Sequence, residues 1–346
     1  MTLLLAACAA PTPTAPLTSA PSSTPDPTPI PAPAATAPLS WSELAPSPTA
    51  LYEGQGAAVN GRLYVFGGFD RNVDDQPIAT SAAHVYDPAT NTWATLHDIP
   101  DVVTHAGVAV DGSNIYLAGG FVGDHPGPQT DHVWRYDSTA DRWTALPPLP
   151  GARGAGALVR QGRDLHYFGG TERTVDGDYL HDDADHVILS LDAPTAWRAA
   201  APLPNPRNHL GAAVLGGMIY AVGGQHLGNE AYGDLTDVDR YDPATDTWTA
   251  VSPLPMPLGH ITSSTVVLGS RLLVIGGVTL ATHAGAVEGL ESDEVMAYDP
   301  ATDRWSPLTP LPSPRQSPVA DTIGNTVVVT TGSTAVGPVD STWSGH

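Results

Sequence analysis

The stretch Gly211-Ala-Ala-Val-Leu-Gly-Gly-Met-Ile-Tyr-Ala-Val-Gly-Gly224, followed by Val238-Asp-Arg-Tyr-Asp-Pro-Ala-Thr-Asp-Thr-Trp248, decides the fold. Two apolar runs flank Gly216-Gly217, the pattern of a tight β-hairpin, and they define strands a and b. Val238 to Tyr241 alternates apolar and polar residues and defines strand c. In Asp242-Pro-Ala-Thr-Asp, Asp and Pro preset a turn. Trp248 opens strand d. Such a unit is a twisted antiparallel sheet with two apolar faces, and alone it cannot cover both.

Working outward, the same unit recurs. Glycine pairs stand at Gly67-Gly68, Gly119-Gly120, Gly169-Gly170, Gly223-Gly224 and Gly276-Gly277, spaced 52, 50, 54 and 53 residues apart, and Thr331-Gly332 is a degraded sixth copy. A tyrosine and a tryptophan accompany most copies, at Tyr86 and Trp93, Tyr136 and Trp143, Tyr241 and Trp248, and Tyr298 and Trp305. In the third copy Leu191 replaces the tyrosine ahead of Trp197. A period near fifty with this content implies sheets arrayed around an axis.

These marks resemble the kelch family, over residues 41–346. The resemblance implies an all-β, six-bladed kelch β-propeller of four-stranded antiparallel blades. Glycine at the end of strand b is expected where a neighbouring blade's backbone comes close. The tyrosines and tryptophans are expected to pack between blades. Trp41 precedes the first hairpin, and nothing like a strand d follows the last one, near Val319–Thr331. The N-terminal strand Trp41-Ser-Glu-Leu is therefore predicted to supply strand d of the last blade, beside a strand c near Ser341–Ser344. Closure of this kind pairs both chain ends and removes an exposed edge.

Residues 1–40 have another character. Leu5-Ala6-Ala7-Cys8 resembles the lipobox of a bacterial lipoprotein signal, which implies lipidation at Cys8, with residues 1–8 as the signal remnant. The resemblance lacks a positive n-region, and the apolar run is short. Residues 9–40 are rich in Pro, Thr and Ala and read as a disordered linker. An exported, lipid-anchored domain is the expectation, touching membrane only through Cys8.

Composition excludes whole classes of function. There are 36 acidic and 14 basic residues, for a net charge of −22. All the basic residues are arginine, so Schiff-base and phosphate-loop lysines are excluded. Nucleic-acid binding needs a basic surface and is not expected. The single cysteine excludes a disulfide framework and a cysteine zinc site. It also excludes a copper radical oxidase of the galactose oxidase type, which needs a cysteine crosslinked to a tyrosine. No cofactor is expected, and the chain is read as a monomer.

The a–b and c–d turns are short, whereas the b–c segments 69–83, 121–132, 171–185, 225–236 and 278–293 are long. These share one face with the d–a connections, and that face is the predicted functional one. The starts of strands a lie on it beside the axis and carry Glu53, His105, Arg153, Arg207, His209, His260 and Arg315. Arginine offers a planar fork for carboxylate or phosphate. Histidine carries protons near neutral pH, and Glu53 or His209 is the candidate acid–base group. The competing reading is that these side chains cap loop carbonyls. The acidic run Asp176-Gly-Asp178-Tyr-Leu-His181-Asp182-Asp183-Ala-Asp185-His186 and the smaller Asp70, Asp74, Asp75 set lack metal-ligand spacing and are read as solvated loops, with no metal site.

Two functions compete. One is a surface-tethered interaction module that binds a protein or glycan through the b–c face. The alternative is an isomerase, a mutarotase or epimerase acting on an acidic sugar such as sialic acid. There Arg153, Arg207 and Arg315 would hold the carboxylate, and Glu53 or His209 would move the proton. The second reading is analogy at the level of fold.

Overall fold

The computed structural model describes residues 38–125, 127–173, 179–226, 233–283 and 286–346. Six four-stranded antiparallel sheets form the blades. In blade 4, strand a (Gly211–Leu215) pairs with strand b (Met218–Val222) from Gly211↔Val222 to Leu215↔Met218, as the hairpin reading requires. Strand c (Val238–Asp242) follows, and its Tyr241 lies opposite Trp248 of strand d (Thr247–Ala250). Strand a is innermost in every blade. Successive inner strands, Gln55–Val59, Gly107–Asp111, Ala157–Gln161, Gly211–Leu215, Thr265–Leu268 and Val319–Ile323, adjoin one another around the whole ring.

The ring closes as the unmatched tryptophan predicts. Trp41–Leu44 is strand d of blade 6 and pairs with strand c, Thr342–Gly345, from Trp41↔Gly345 to Leu44↔Thr342. That strand c lies one residue further along than the expected Ser341–Ser344.

Tyrosine and tryptophan join blades through polar tips as well as packing. Each strand-d indole donates to a carbonyl of the preceding blade's exit chain: Trp93 to Ala45 at 2.9 Å, Trp143 to His97 at 3.2 Å, Trp197 to Pro147 at 3.0 Å, Trp248 to Ala201 at 2.8 Å, Trp305 to Ser252 at 2.9 Å and Trp41 to Thr309 at 3.2 Å. The buried tyrosine hydroxyls donate to the residue closing their own c–d turn, Tyr241 to Asp246 and Tyr298 to Asp303, both at 2.7 Å. Between blades lie apolar clusters, such as Val222, Leu254, Leu258, Ile261, Leu272 and Val274 between blades 4 and 5. The glycine pairs mark the close approach. A Cβ on Gly169, whose φ is +68°, would stand 2.8 Å from the Arg207 carbonyl of the next blade.

The long b–c segments carry β-ribbons of their own. Phe69–Val73 pairs with Gln76–Ala79, Thr171–Arg173 with Tyr179–Asp182, Val278–His283 with Ala286–Glu291, and Ser333–Thr334 with Gly337–Pro338. In blade 2, Phe121–Val122 instead pairs with Val103–Thr104, just ahead of strand a. Asp74 and Asp75, both at positive φ (49° and 64°), form the two-residue turn of the first ribbon. Residues 1–37, including Cys8 and most of the linker, lie outside the described residues, as do Asp176 and Asp178.

Candidate functional site at the propeller axis

Strand a of each blade is preceded by one residue in the left-handed backbone region: Glu53 (φ 53°), His105 (55°), Ala155 (56°), His209 (51°), His260 (55°) and Ser317 (46°). Their peptide groups link around the axis. The His105 N–H donates to Glu53 O at 3.3 Å, Ala155 to His105 at 3.0 Å, His209 to Ala155 at 2.9 Å and Ser317 to His260 at 3.2 Å, while Ile261 N–H reaches His209 O at 3.5 Å. The remaining link, from blade 6 to blade 1, is made by side chains: Ser317 Oγ donates to Glu53 Oε1 at 2.6 Å. The left-handed conformation costs a non-glycine residue on the order of 1–3 kcal/mol, so its recurrence in every blade marks a position held by the surrounding fold.

Four of these side chains meet over the axis. His260 Nδ1 lies 2.5 Å from Glu53 Oε1, and His105 Nε2 lies 3.3 Å from Glu53 Oε2. The His209 ring is 4.2 Å from that of His260 and 5.0 Å from that of His105, centroid to centroid. Outer partners fix two of the imidazoles. Thr104 Oγ1 is 2.7 Å from His105 Nδ1, and His209 Nδ1 is held by Asn208 Oδ1 and, at 3.2 Å, by Gln225 Nε2. All four side chains are buried.

Burial opposes charge on Glu53, but the histidines around it, His105 and His260 foremost, hold its carboxyl well below the usual carboxylate range. Burial also penalises the charged form of His260, yet the Glu53 carboxylate beside it raises its pKa overall. Burial pushes His105 down to about 4, and it lowers His209 strongly, with His260 and His105 adding to that effect. These directions favour charge on the Glu53–His260 pair and the neutral form of His105 and His209.

The axis differs on its two sides. Toward the a–b turns it opens into a channel of about 260 Å³, walled by residues such as Ala57, Val108, Leu158, Ala213, Val266 and Asp321, one from each blade. Between channel and cluster lies a cavity of about 10 Å³, lined by Glu53, His105, His260 and Ser317 and sharing Thr262 and Ser263 with the channel. Toward the b–c face the His105 ring meets Phe69 and Phe121 edge-on.

The arginines sit elsewhere. Arg153, Arg207 and Arg315 each stand two residues ahead of the ring position, fully buried within their blades. Arg207 donates to the carbonyls of Gly223 (2.8 Å), Asn205 (2.9 Å) and Ala221 (3.2 Å) and pairs with Asp239 at 3.0 Å. Arg153 pairs with Asp183 at 2.9 Å and reaches Asp185 O. Arg315 donates to Thr331 O at 2.7 Å and to Ser341 Oγ at 2.9 Å, and stacks on Trp343 at 3.9 Å. The structure thus brings Glu53, His105, His209 and His260 together and leaves the three arginines apart, holding backbone. Sequence reasoning missed Ala155 and Ser317 as ring members. The signal was present: both stand at the register of Glu53 and the histidines, whereas Leu51, Val103 and Leu258 occupy the register of the arginines.

Among the described residues, two side-chain sets could hold a metal ion. In buried Glu53, His209 and His260, the ligand atoms lie within 4.8 Å of one another, and the same holds for Glu172, His181 and Asp183 at the partly exposed ribbon of blade 3.

With fold and axis in view, comparison with known proteins gives one result. The KLHDC2/KLHL20/DRC7 Kelch-repeats domain matches residues 104–332, and the Kelch motif matches 55–96. The chain belongs to the kelch-repeat family. It is 31% identical over 258 residues to "Kelch-like protein terF" of Aspergillus terreus, covering 72% of this chain and 55% of that one. It is 28% identical over 271 residues to "Kelch-like protein 23" of Homo sapiens, covering 78% and 43%. The chain thus spans about half the length of the curated relatives it matches. Among solved structures, "Structure of YjhT" superposes with a TM-score of 0.70 over 86% of this chain and 95% of that one, at 16% identity, a likeness of fold alone.

Proposed function

We propose that this propeller is an interaction module that binds a protein or glycan ligand through its b–c face. One observation carries the reading. Among the described residues, the exposed large hydrophobics are Val73, Val102, Leu290 and Val336, and all four lie on b–c ribbons or d–a connections. Val336 is 94% exposed in the turn of the blade 6 ribbon, which adjoins the blade 1 ribbon carrying Val73. Apolar groups exposed on one face of a strongly acidic protein favour a docking partner. The lipobox-like Leu5-Ala6-Ala7-Cys8 and the proline-rich run behind it support a tether at an exported membrane surface, with the domain monomeric. Net charge of −22 supports a partner other than nucleic acid.

The acidic-sugar isomerase has weaker support. Its carboxylate clamp needs arginines that here hold carbonyls, and its acid–base candidate Glu53 lines a cavity of about 10 Å³, room for a water but not for a sugar ring.

The test compares the full chain with a Val73→Asp, Val336→Asp double variant as baits on membrane-envelope extract. A specific partner retained by the wild-type chain and weakened about tenfold or more by the variant supports the reading. Equal retention by both overturns it. A melting-temperature rise with sialic or uronic acid, and none with neutral sugars, would move the assignment to the isomerase.

A further inference from the structure

We propose that Glu53, His105, His209 and His260 form a binding site for one first-row divalent cation, with zinc as the reference ion, on the propeller axis.

Four blades each contribute one side chain to a single buried point, an arrangement that does not follow from core packing. Elsewhere along the same ring, Ala155 and Ser317 show that a small residue satisfies the backbone geometry. Three imidazoles and one carboxylate there require desolvation of four polar groups, which a dry core avoids. They form a nitrogen-rich donor set with one anionic oxygen, suited to zinc, nickel, copper or iron rather than to calcium or magnesium.

The second observation is space. The cavity of about 10 Å³ is lined by Glu53, His105 and His260, at the lower limit for a single small guest. The third is orientation. Imidazole ligands characteristically engage their second nitrogen with an oxygen acceptor, which fixes the ring. Here Thr104 Oγ1 and Asn208 Oδ1 occupy Nδ1 of His105 and His209, so Nε2 is the nitrogen left for the centre. Ligand atoms of Glu53, His209 and His260 already lie within 4.8 Å of one another. Contraction of about 1 Å or less per group would bring them to the roughly 2.0–2.2 Å bonds of a zinc centre. The channel on the a–b side, which shares Thr262 and Ser263 with the cavity, gives an entry path for an ion. This inference stands apart from the docking face, and either can fail without the other.

The experiment uses the full chain, stripped with chelator and titrated with zinc chloride by calorimetry, with metal content then read by mass spectrometry. One equivalent is expected to bind and to raise the melting temperature. His209→Asn and Glu53→Gln should weaken binding by about 100-fold or more, since loss of even an outer partner costs 10–100-fold. His181→Ala, which removes the imidazole of the exposed Glu172, His181, Asp183 set, should leave the affinity unchanged. No zinc uptake, or stoichiometric uptake that survives His209→Asn, overturns the proposal. Should both axial variants fail to fold, the wild-type copper(II) complex still decides. Its paramagnetic resonance spectrum must show coupling to three imidazole nitrogens, and coupling to one or none, as at the exposed set, overturns the proposal.

Discussion

Blades 3, 4 and 6 place arginine two residues ahead of the axial ring, where blades 1, 2 and 5 place Leu51, Val103 and Leu258. The slot is the same, and in all six it is buried. In the aliphatic blades it is filled by dispersion and apolar burial alone. In the arginine blades it holds a charge whose donors bind backbone carbonyls, at the end of strand b for Arg207 and Arg315 and just ahead of strand c for Arg153, and whose remaining demand is met differently in each. Asp239 serves in blade 4, Asp183 from the b–c segment in blade 3, and Ser341 with the Trp343 ring in blade 6. One backbone position thus accepts two chemistries provided each brings its partner. Arginine at this site is in each case matched by partners within its own blade.

The largest effect of a substitution comes from separating the partners. Arg207→Leu places the blade 5 residue into blade 4 but leaves Asp239 buried without its cation. Removing one member of a buried ion pair costs about 3–5 kcal/mol, so urea unfolding should shift by that amount. Adding Asp239→Met, the residue that blade 5 carries there as Met296, removes the orphaned charge and should restore most of the loss. If the double variant is no more stable than the single one, arginine does more in blade 4 than fill the slot.

Much of the fold was legible because the repeat is a physical necessity: a lone blade cannot bury its faces, so the period, the hairpins and the orphan Trp41 together fix number and closure. The ribbons were not legible. Phe69-Asp-Arg-Asn-Val73 and Val278-Thr-Leu-Ala-Thr-His283 share no pattern from copy to copy, and the first ribbon turns on Asp74-Asp75 rather than the Asn-Gly or Gly-Gly that mark hairpins. For the candidate site, the residues were found but the register was blurred. Glu53 and the three histidines lie in the left-handed region without a glycine to announce it, so residues two positions apart were read as one ring.

Blade 3 sharpens the comparison at a second place. Where blade 4 has Tyr220 and Val238, blade 3 has His166 and His186, with His166 Nδ1 2.9 Å from His186 Nε2. Burial, and for His166 the neighbouring His186, depresses both, His166 to about 3 and His186 to about 4, from 6.5. A depressed histidine stays neutral in the fold while the unfolded chain takes up protons below pH 6.5. Its stabilising contribution is therefore complete above that value and declines as pH falls toward the folded pKa. The loss should be on the order of 3 kcal/mol for each histidine, about 6 kcal/mol for the pair, between pH 7 and 4. His186→Val, the blade 4 residue, should flatten the decline when unfolding is followed across that range. An unchanged slope would place the acid sensitivity outside blade 3.

The smallest effect tests what all blades share. Whatever fills the arginine slot, every strand-d tryptophan donates across to the preceding blade, so this contact should be indifferent to the difference between the two groups. Trp305→Phe in blade 5 and Trp248→Phe in blade 4 keep the ring packed on Tyr298 and Tyr241 but delete the bonds to Ser252 O (2.9 Å) and Ala201 O (2.8 Å). Both carbonyls lie near the rim, where water can replace the donor. Each loss should therefore be about 1 kcal/mol, the net value of one hydrogen bond, with some added for the smaller ring. Equal shifts in chemical unfolding of the two variants would show that blades are coupled through the indole ladder irrespective of their inner chemistry. A much larger loss in blade 4 would tie the ladder to the Arg207–Asp239 pair and make the two groups of blades differ in how they hold their neighbours.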